Sequence, residues 1–133
     1  MKAVFADTSY FLALLIPNDA DHAKAVEFAT RSRAPLITTD WVVVEIGNFL
    51  TQPPVRGLFL RWLDAMRRNA QVTIIEASPT LLAEGVDLFA NRADKYWSLT
   101  DCISFVVMSQ YGLSEAATAD HHFEQAGFVA LLK

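Results

Sequence analysis

At 133 residues the chain is long enough for one domain with a real core and too short for two ordinary ones. A composition that is 53% hydrophobic and 20% charged excludes disorder, and no apolar run approaches the ~20 residues of a membrane helix. The net charge of −4 argues against a strongly basic nucleic-acid binder, although an acidic cluster neutralised by cations would account for much of it.

Lys2 to Ala6 is a short apolar run ended by Asp7, and it reads as a buried first strand. The interruption at Asp7 and the lack of a cleavage pattern tell against a signal peptide. Thr8 to Ile16 reads as a helix stopped at Pro17 and Asn18. Asp21 to Arg31 is amphipathic, with Ala25, Phe28 and Ala29 expected inward. Leu36 to Thr38 is a short second strand. Asp40 to Leu50 is a helix capped by Thr39 or Asp40, with an apolar stripe of Val42, Val43, Ile46, Phe49 and Leu50. Pro53 and Pro54 stop it, and Val55 to Arg68 forms the next helix. Gln71 to Ile75 is a β-branched third strand. Ser78 caps a helix running to about Asn91, with Pro79 in its first turn. Thr100 to Tyr111 is apolar almost all round, which marks a buried helix, and Gly112 ends it. Ala116 to Ala119 is a weak fourth strand, Asp120 to Gln125 a short helix and Phe128 to Leu132 the last strand. There is no internal repeat or linker, so a single domain over residues 1–133 is expected. Strands alternating with helices imply an α/β fold of three layers, a parallel sheet covered by helices on both faces.

Four carboxylates stand at the ends of strands or in the helices that follow: Asp7, Glu45, Asp101 and Asp120. Acids at the carboxyl ends of parallel strands converge on one crevice. Together they repel unless cations are present, and Mg²⁺ and Mn²⁺ prefer oxygen ligands. Each acid also has a plainer explanation. Asp7 and Asp120 could cap the helices that follow them. Ser98-Leu99-Thr100-Asp101 has the form of a capping box. Glu45 lies at the edge of its helix's apolar stripe and could simply reach solvent, with Asn48 one turn on. Capping and metal binding are compatible, and neutral capping would not call for a carboxylate at every one of these positions.

Four stretches resemble the PIN-domain ribonucleases, and among them the VapC-type toxins of toxin–antitoxin pairs. They are D-T-S-Y-F at Asp7 to Phe11, E-I-G-N-F-L at Glu45 to Leu50, S-L-T-D-C-I-S-F-V-V-M at Ser98 to Met108, and T-A-D-H-H-F-E-Q-A-G-F at Thr118 to Phe128. The resemblance runs through the whole chain in order. It implies a PIN-like sheet of four or five strands in the order 3-2-1-4-5. It places the family's acidic quartet, catalytic and metal-binding, on Asp7, Glu45, Asp101 and Asp120. Thr8 and Thr118 match hydroxyl positions near that site, and Asn48 is a further supporting candidate. His121, His122 and Glu124 stand where the family often has another acidic or amide residue. Asp94 is an additional acid nearby that reads as a surface residue.

The activity so implied is Mg²⁺- or Mn²⁺-dependent cleavage of RNA phosphodiesters, leaving a 3′-hydroxyl and a 5′-phosphate. The implied partners are the RNA substrate, a small antitoxin and a second copy of the chain in a homodimer, with no membrane. A cytoplasmic location fits the lone Cys102, which cannot form an internal disulfide and reads as an inert core thiol. Two other enzyme readings fit less well. A metal-dependent phosphatase of the haloacid-dehalogenase type carries D-x-D after its first strand, and Asp7-Thr8-Ser9 lacks the second acid. A phospho-acceptor of the receiver type needs its aspartate after the third strand, where this chain has Glu76-Ala77-Ser78. A catalytically silent PIN-like binding module would announce itself by losing part of the quartet, and none is lost.

Three surface expectations remain. Arg56 and Arg61 are expected to form a rim that contacts phosphate. Trp41 and Trp97 flank site residues and are expected to pack in the core or rim. Leu58, Phe59, Leu60, Trp62 and Leu63 cannot all face one core from a single helix, so part of that face should lie in a groove or interface.

Overall fold

A computed structural model describes all 133 residues, Met1–Lys133. Twelve elements follow in order: β1 (Val4–Ala6), α1 (Thr8–Leu15), α2 (His22–Arg31), β2 (Leu36–Thr39), α3 (Asp40–Phe49), α4 (Pro53–Arg68), β3 (Val72–Ile75), α5 (Pro79–Asn91), α6 (Leu99–Gln110), β4 (Glu115–Ala117), α7 (His121–Gln125) and β5 (Val129–Ala130). Every strand pairing is parallel, and the sheet order is β3-β2-β1-β4-β5. This is the order the family resemblance implies. The order reverses direction beside β1, so the loops after β1 and β4 open on the same crevice.

The registers explain how such short strands hold. Phe5 lies between Ile37 of β2 and Ala116 of β4, and all five strands feed backbone groups into one ladder. Thr38 is fully buried and donates to the Ala6 carbonyl at 2.8 Å, which reinforces the β1–β2 pairing. β4 is made of Glu115, Ala116 and Ala117, poor strand formers by propensity. Its central place decides the matter. Both alanines are completely buried, with a neighbouring strand on each side. The core includes Phe5, Phe11, Ile46, Ile103, Met108 and Phe123.

α5 and α6 pack closely because Gly85 faces Ile103; a Cβ at Gly85 would collide with that side chain. α6 is buried along most of its length, from Asp101 to Met108 save Val106, as its apolar character requires. Thr39, not Asp40, caps α3 by accepting from Val42 N–H at 3.2 Å. Asp40 instead accepts from Ala77 N–H at 2.8 Å and ties the start of α3 to the segment after β3.

Several boundaries differ from the sequence reading. β1 begins at Val4, and β5 is only Val129–Ala130. α3 already ends at Phe49 with Leu50 as its cap, and Pro53 and Pro54 occupy the first turn of α4, where a missing N–H costs nothing. Ala29 is exposed, although its helix face was expected inward. Phe49 is likewise exposed rather than buried in the α3 stripe. On α4 only Trp62 is buried; Leu60 is exposed, and Leu58, Phe59 and Leu63 are partly covered. No helix is long and apolar enough to cross a membrane.

Candidate active site

Asp7, Glu45, Asp101 and Asp120 line one cleft of about 360 Å³, together with Thr8, Ser9, Ser98 and His122. Four separate chain segments supply the acids. Asp7 leaves β1, Glu45 rides on α3, Asp101 stands in the first turn of α6, and Asp120 precedes α7.

Asp7 occupies the cap position of α1, yet its side chain makes no capping bond. The carboxylate is spent elsewhere. Its Oδ2 accepts from Thr118 Oγ1 at 2.9 Å and from Ser9 Oγ at 3.1 Å. Thr118 is completely buried and also accepts from Asp120 N–H at 3.0 Å. One hydroxyl thus fixes the Asp7 side chain and the Asp120 backbone at once. Burial, and next the charge of Asp101, push the Asp7 carboxyl up to about 7. Thr118→Val should remove both bonds, leaving Asp7 Oδ2 with Ser9 as its remaining donor and the Asp120 N–H without a partner. The expected loss is about 1–3 kcal/mol of stability, read from denaturant unfolding.

Asp101 does form the capping box: Ser98 Oγ accepts from Asp101 N–H, and Asp101 Oδ2 accepts from Ser98 N–H at 3.1 Å. The same Oδ2 accepts from His122 Nδ1 at 3.1 Å, while its other oxygen has no hydrogen bond within the protein. Burial raises the Asp101 proton affinity first, and the nearby Asp120 charge adds to it; the Ser98 and His122 bonds oppose them. Asp120 caps α7 by accepting from His122 N–H at 2.9 Å on Oδ1. His122 Nδ1 lies 3.4 Å from that oxygen, so the imidazole stands between two acids. Caps and charges therefore coexist at Asp101 and Asp120, and each keeps one carboxylate oxygen free of protein donors.

The other sequence candidates divide. Thr8 is buried in the cleft wall, and its Oγ1 has no hydrogen-bond partner. Asn48 is exposed and lies outside the cleft lining. Asp94 pairs with Arg92, whose guanidinium holds its carboxyl below the usual range. Glu124 pairs with Lys133 at 3.0 Å and turns away from the cleft. His121 is exposed, with Nδ1 3.6 Å from Asp120. Ligand atoms of Asp120, His121 and His122 lie within 4.8 Å of one another, and no three of the four acids come that close. The quartet surrounds a space rather than a point, as like charges do.

No lysine or arginine lines the cleft. Arg56 lies in a depression between α3 and α4 and bonds to the Thr51 carbonyl, so the expected arginine rim is not part of the cleft wall. Trp97 is core: it packs edge-on against Phe105 at 5.0 Å and donates to Gln125 at 3.0 Å. Cys102 is buried, and burial pushes its thiol up. Sequence reasoning did not single out Ser9, Phe49 or Tyr96, all of which line the cleft. Ser9 was visible within D-T-S as a second hydroxyl beside Asp7, and Phe49 lies one turn beyond Glu45. Nothing in the sequence marks Tyr96.

Comparison with known proteins identifies the fold and family. Two curated relatives, the 23S rRNA-specific endonuclease VapC20 of two Mycobacterium tuberculosis strains, are each 25% identical over 126 residues, covering 95% of this chain and 95% of theirs. The crystal structure of M. tuberculosis VapC20, described as a sarcin-ricin loop cleaving toxin, superposes with a TM-score of 0.86. It is 25% identical, and the match covers 95% of this chain and 96% of that one. The PIN domain family model matches residues 4–129, nearly the whole fold, and the chain belongs to the PIN domain family.

Proposed function

We propose that this protein is a Mg²⁺- or Mn²⁺-dependent endoribonuclease, the toxin of a toxin–antitoxin pair, with Asp7, Glu45, Asp101 and Asp120 as its metal-binding and catalytic residues. The observation that carries the reading is the convergence of four acids from four chain segments on a cleft with no lysine or arginine to neutralise them. The donor set fits a hard cation: carboxylate oxygens, including one on Asp101 and one on Asp120 free of protein donors, and the unpartnered buried hydroxyl of Thr8. When bound, the cation supplies the Lewis acidity that activates water and neutralises charge at the phosphate.

The chain's own residues preorganise the rest. Thr118 and Ser9 hold Asp7 in one rotamer, so no reorganisation is needed when substrate arrives. Ser98 and His122 fix Asp101 through one oxygen and leave the other free of protein donors. Thr118 sets the height of Asp120 through its backbone N–H. The products would carry a 3′-hydroxyl and a 5′-phosphate, as the family resemblance implies.

The partners would be RNA, a small antitoxin and a second copy of the chain. Exposed Leu60 and partly covered Phe59 beside the α3–α4 depression offer apolar surface for an antitoxin helix. Light scattering on the isolated chain reads the oligomer, and hydrogen exchange with a co-expressed neighbour reads the α3–α4 surface.

The reading is tested by incubating the chain with 23S ribosomal RNA and Mn²⁺, the RNA for which its relatives are named. Discrete fragments with 5′-phosphate ends, abolished by EDTA, are expected. Hydrolysis of a small phosphomonoester without RNA cleavage would favour a phosphatase instead.

A further inference from the structure

The aromatic side chains separate into two groups. Most are paired within the core, as Phe11 is with Trp62 at 4.9 Å and Phe105 with Phe123 at 4.9 Å. Trp41, Phe49, Phe89, Tyr96 and Tyr111 pair with no other ring, and of these Phe49 and Tyr96, 66% and 95% exposed, are the two that line the acidic cleft. They come from different parts of the wall. Phe49 follows Glu45 by four residues on α3, which places both on one helix face. Tyr96 lies in the segment between α5 and α6, two residues before the Ser98 cap that fixes Asp101. α3 packs with α1, and α6 packs with α7, so the two rings stand on separate supports.

Tyr96 is not loosely held. The next residue, Trp97, is buried against Phe105, donates to Gln125 and lies under the Arg92 guanidinium at 5.0 Å. The chain is thus anchored one residue away while the Tyr96 ring is left in solvent. Leaving a large ring so exposed forgoes the burial that stabilises the other aromatics.

We propose that Phe49 and Tyr96 form a clamp that stacks on unpaired nucleobases either side of the phosphate held at the acids. The inference rests on the nuclease reading and assigns two binding residues to that site. The chemistry favours stacking. The cleft has no lysine or arginine and the chain carries a net charge of −4, so the cleft wall provides no cationic side chain of those types to neutralise phosphate. Aromatic faces bind any base without charge, and they reach bases that are unstacked rather than those inside a duplex.

The test uses the full chain and a short single-stranded RNA carrying 2-aminopurine, whose fluorescence falls when its ring is stacked, in buffer containing Ca²⁺. The wild type should quench the probe. Phe49→Ala and Tyr96→Ala should each weaken binding by roughly tenfold to a hundredfold and lose quenching. Phe49→Tyr and Tyr96→Phe should keep both, and circular dichroism should be unchanged because both side chains lie at the surface. Equal binding and quenching by the alanine variants would overturn the clamp. The same proteins with 23S ribosomal RNA and Mn²⁺ separate it from the nuclease reading. Quenching without cleavage by the wild type would sink the nuclease and uphold stacking; wild-type cleavage with KM unchanged in both alanine variants would sink stacking and uphold the nuclease.

Discussion

Asp7→Asn, Asp101→Asn and Asp120→Asn should each lower RNA cleavage by more than about 100-fold while the protein stays folded. The magnitude follows from the usual cost of disturbing residues that merely support a metal ligand, about 10–100-fold; removing a ligand's charge should exceed it. The amide is the informative substitution. Asparagine keeps an oxygen to accept from Ser98 N–H at position 101 and from His122 N–H at position 120, and it is as good a cap as aspartate. The caps therefore survive and the charge alone is lost. If the acids served only as caps, the asparagine variants would remain active, and alanine variants would lose about 1 kcal/mol of stability and little else. Two fully active asparagine variants would refute the assignment.

The second large effect concerns stability without divalent cation. In the unfolded chain Asp7 ionises near its ordinary value of 3.8; in the fold burial and Asp101 raise it to about 7. A raised folded value means that the folded state keeps a proton the unfolded state has released. Stability is therefore greatest below pH 4 as far as this group is concerned, and it falls as pH rises to about 7. At about 1.4 kcal/mol per pH unit, the rise corresponds to at most about 4 kcal/mol. Asp101 shifts in the same direction. Asp7→Asn should then raise the melting temperature by several degrees at pH 8 in EDTA, and by little at pH 4, where the folded protein holds Asp7 in its neutral form. Saturating Mg²⁺ should reverse the order at pH 8, since a cation that binds only the folded wild type stabilises it. A variant that is less stable at pH 8 in EDTA would contradict this account of the buried charge.

Asp7 and Asp120 were legible because chemistry at the ends of parallel strands falls at predictable places in the chain, and Asp101 through the capping box that opens an apolar helix. Glu45 was legible only as the edge of a stripe. The strand order came from family resemblance, since alternation of elements establishes parallel pairing without ordering the strands. What escaped the sequence was set by tertiary contact. Phe49 continues the stripe of Val42 and Ile46, but a stripe defines a face, not how far the covering surface extends along it; Phe49 lies in the last turn and faces the cleft. His121 and His122 are equivalent as letters, and only the approach of α6 to α7 puts His122 between Asp101 and Asp120. Tyr96 and Trp97 are adjacent aromatics with opposite fates, decided by Phe105 on the following helix and by Gln125 beyond β4. Conversely, the capping reading of Asp7 looked sound, and the structure shows its carboxylate turned to Thr118 and Ser9 instead.

A crystal of the protein grown with Mn²⁺, examined by anomalous diffraction, tests the central claim most directly. The account predicts manganese in the cleft between Asp7, Glu45, Asp101 and Asp120, with carboxylate oxygens at about 2.0–2.3 Å. Manganese held by Asp120, His121 and His122 outside the quartet, or none in the cleft at saturating concentration, would contradict it.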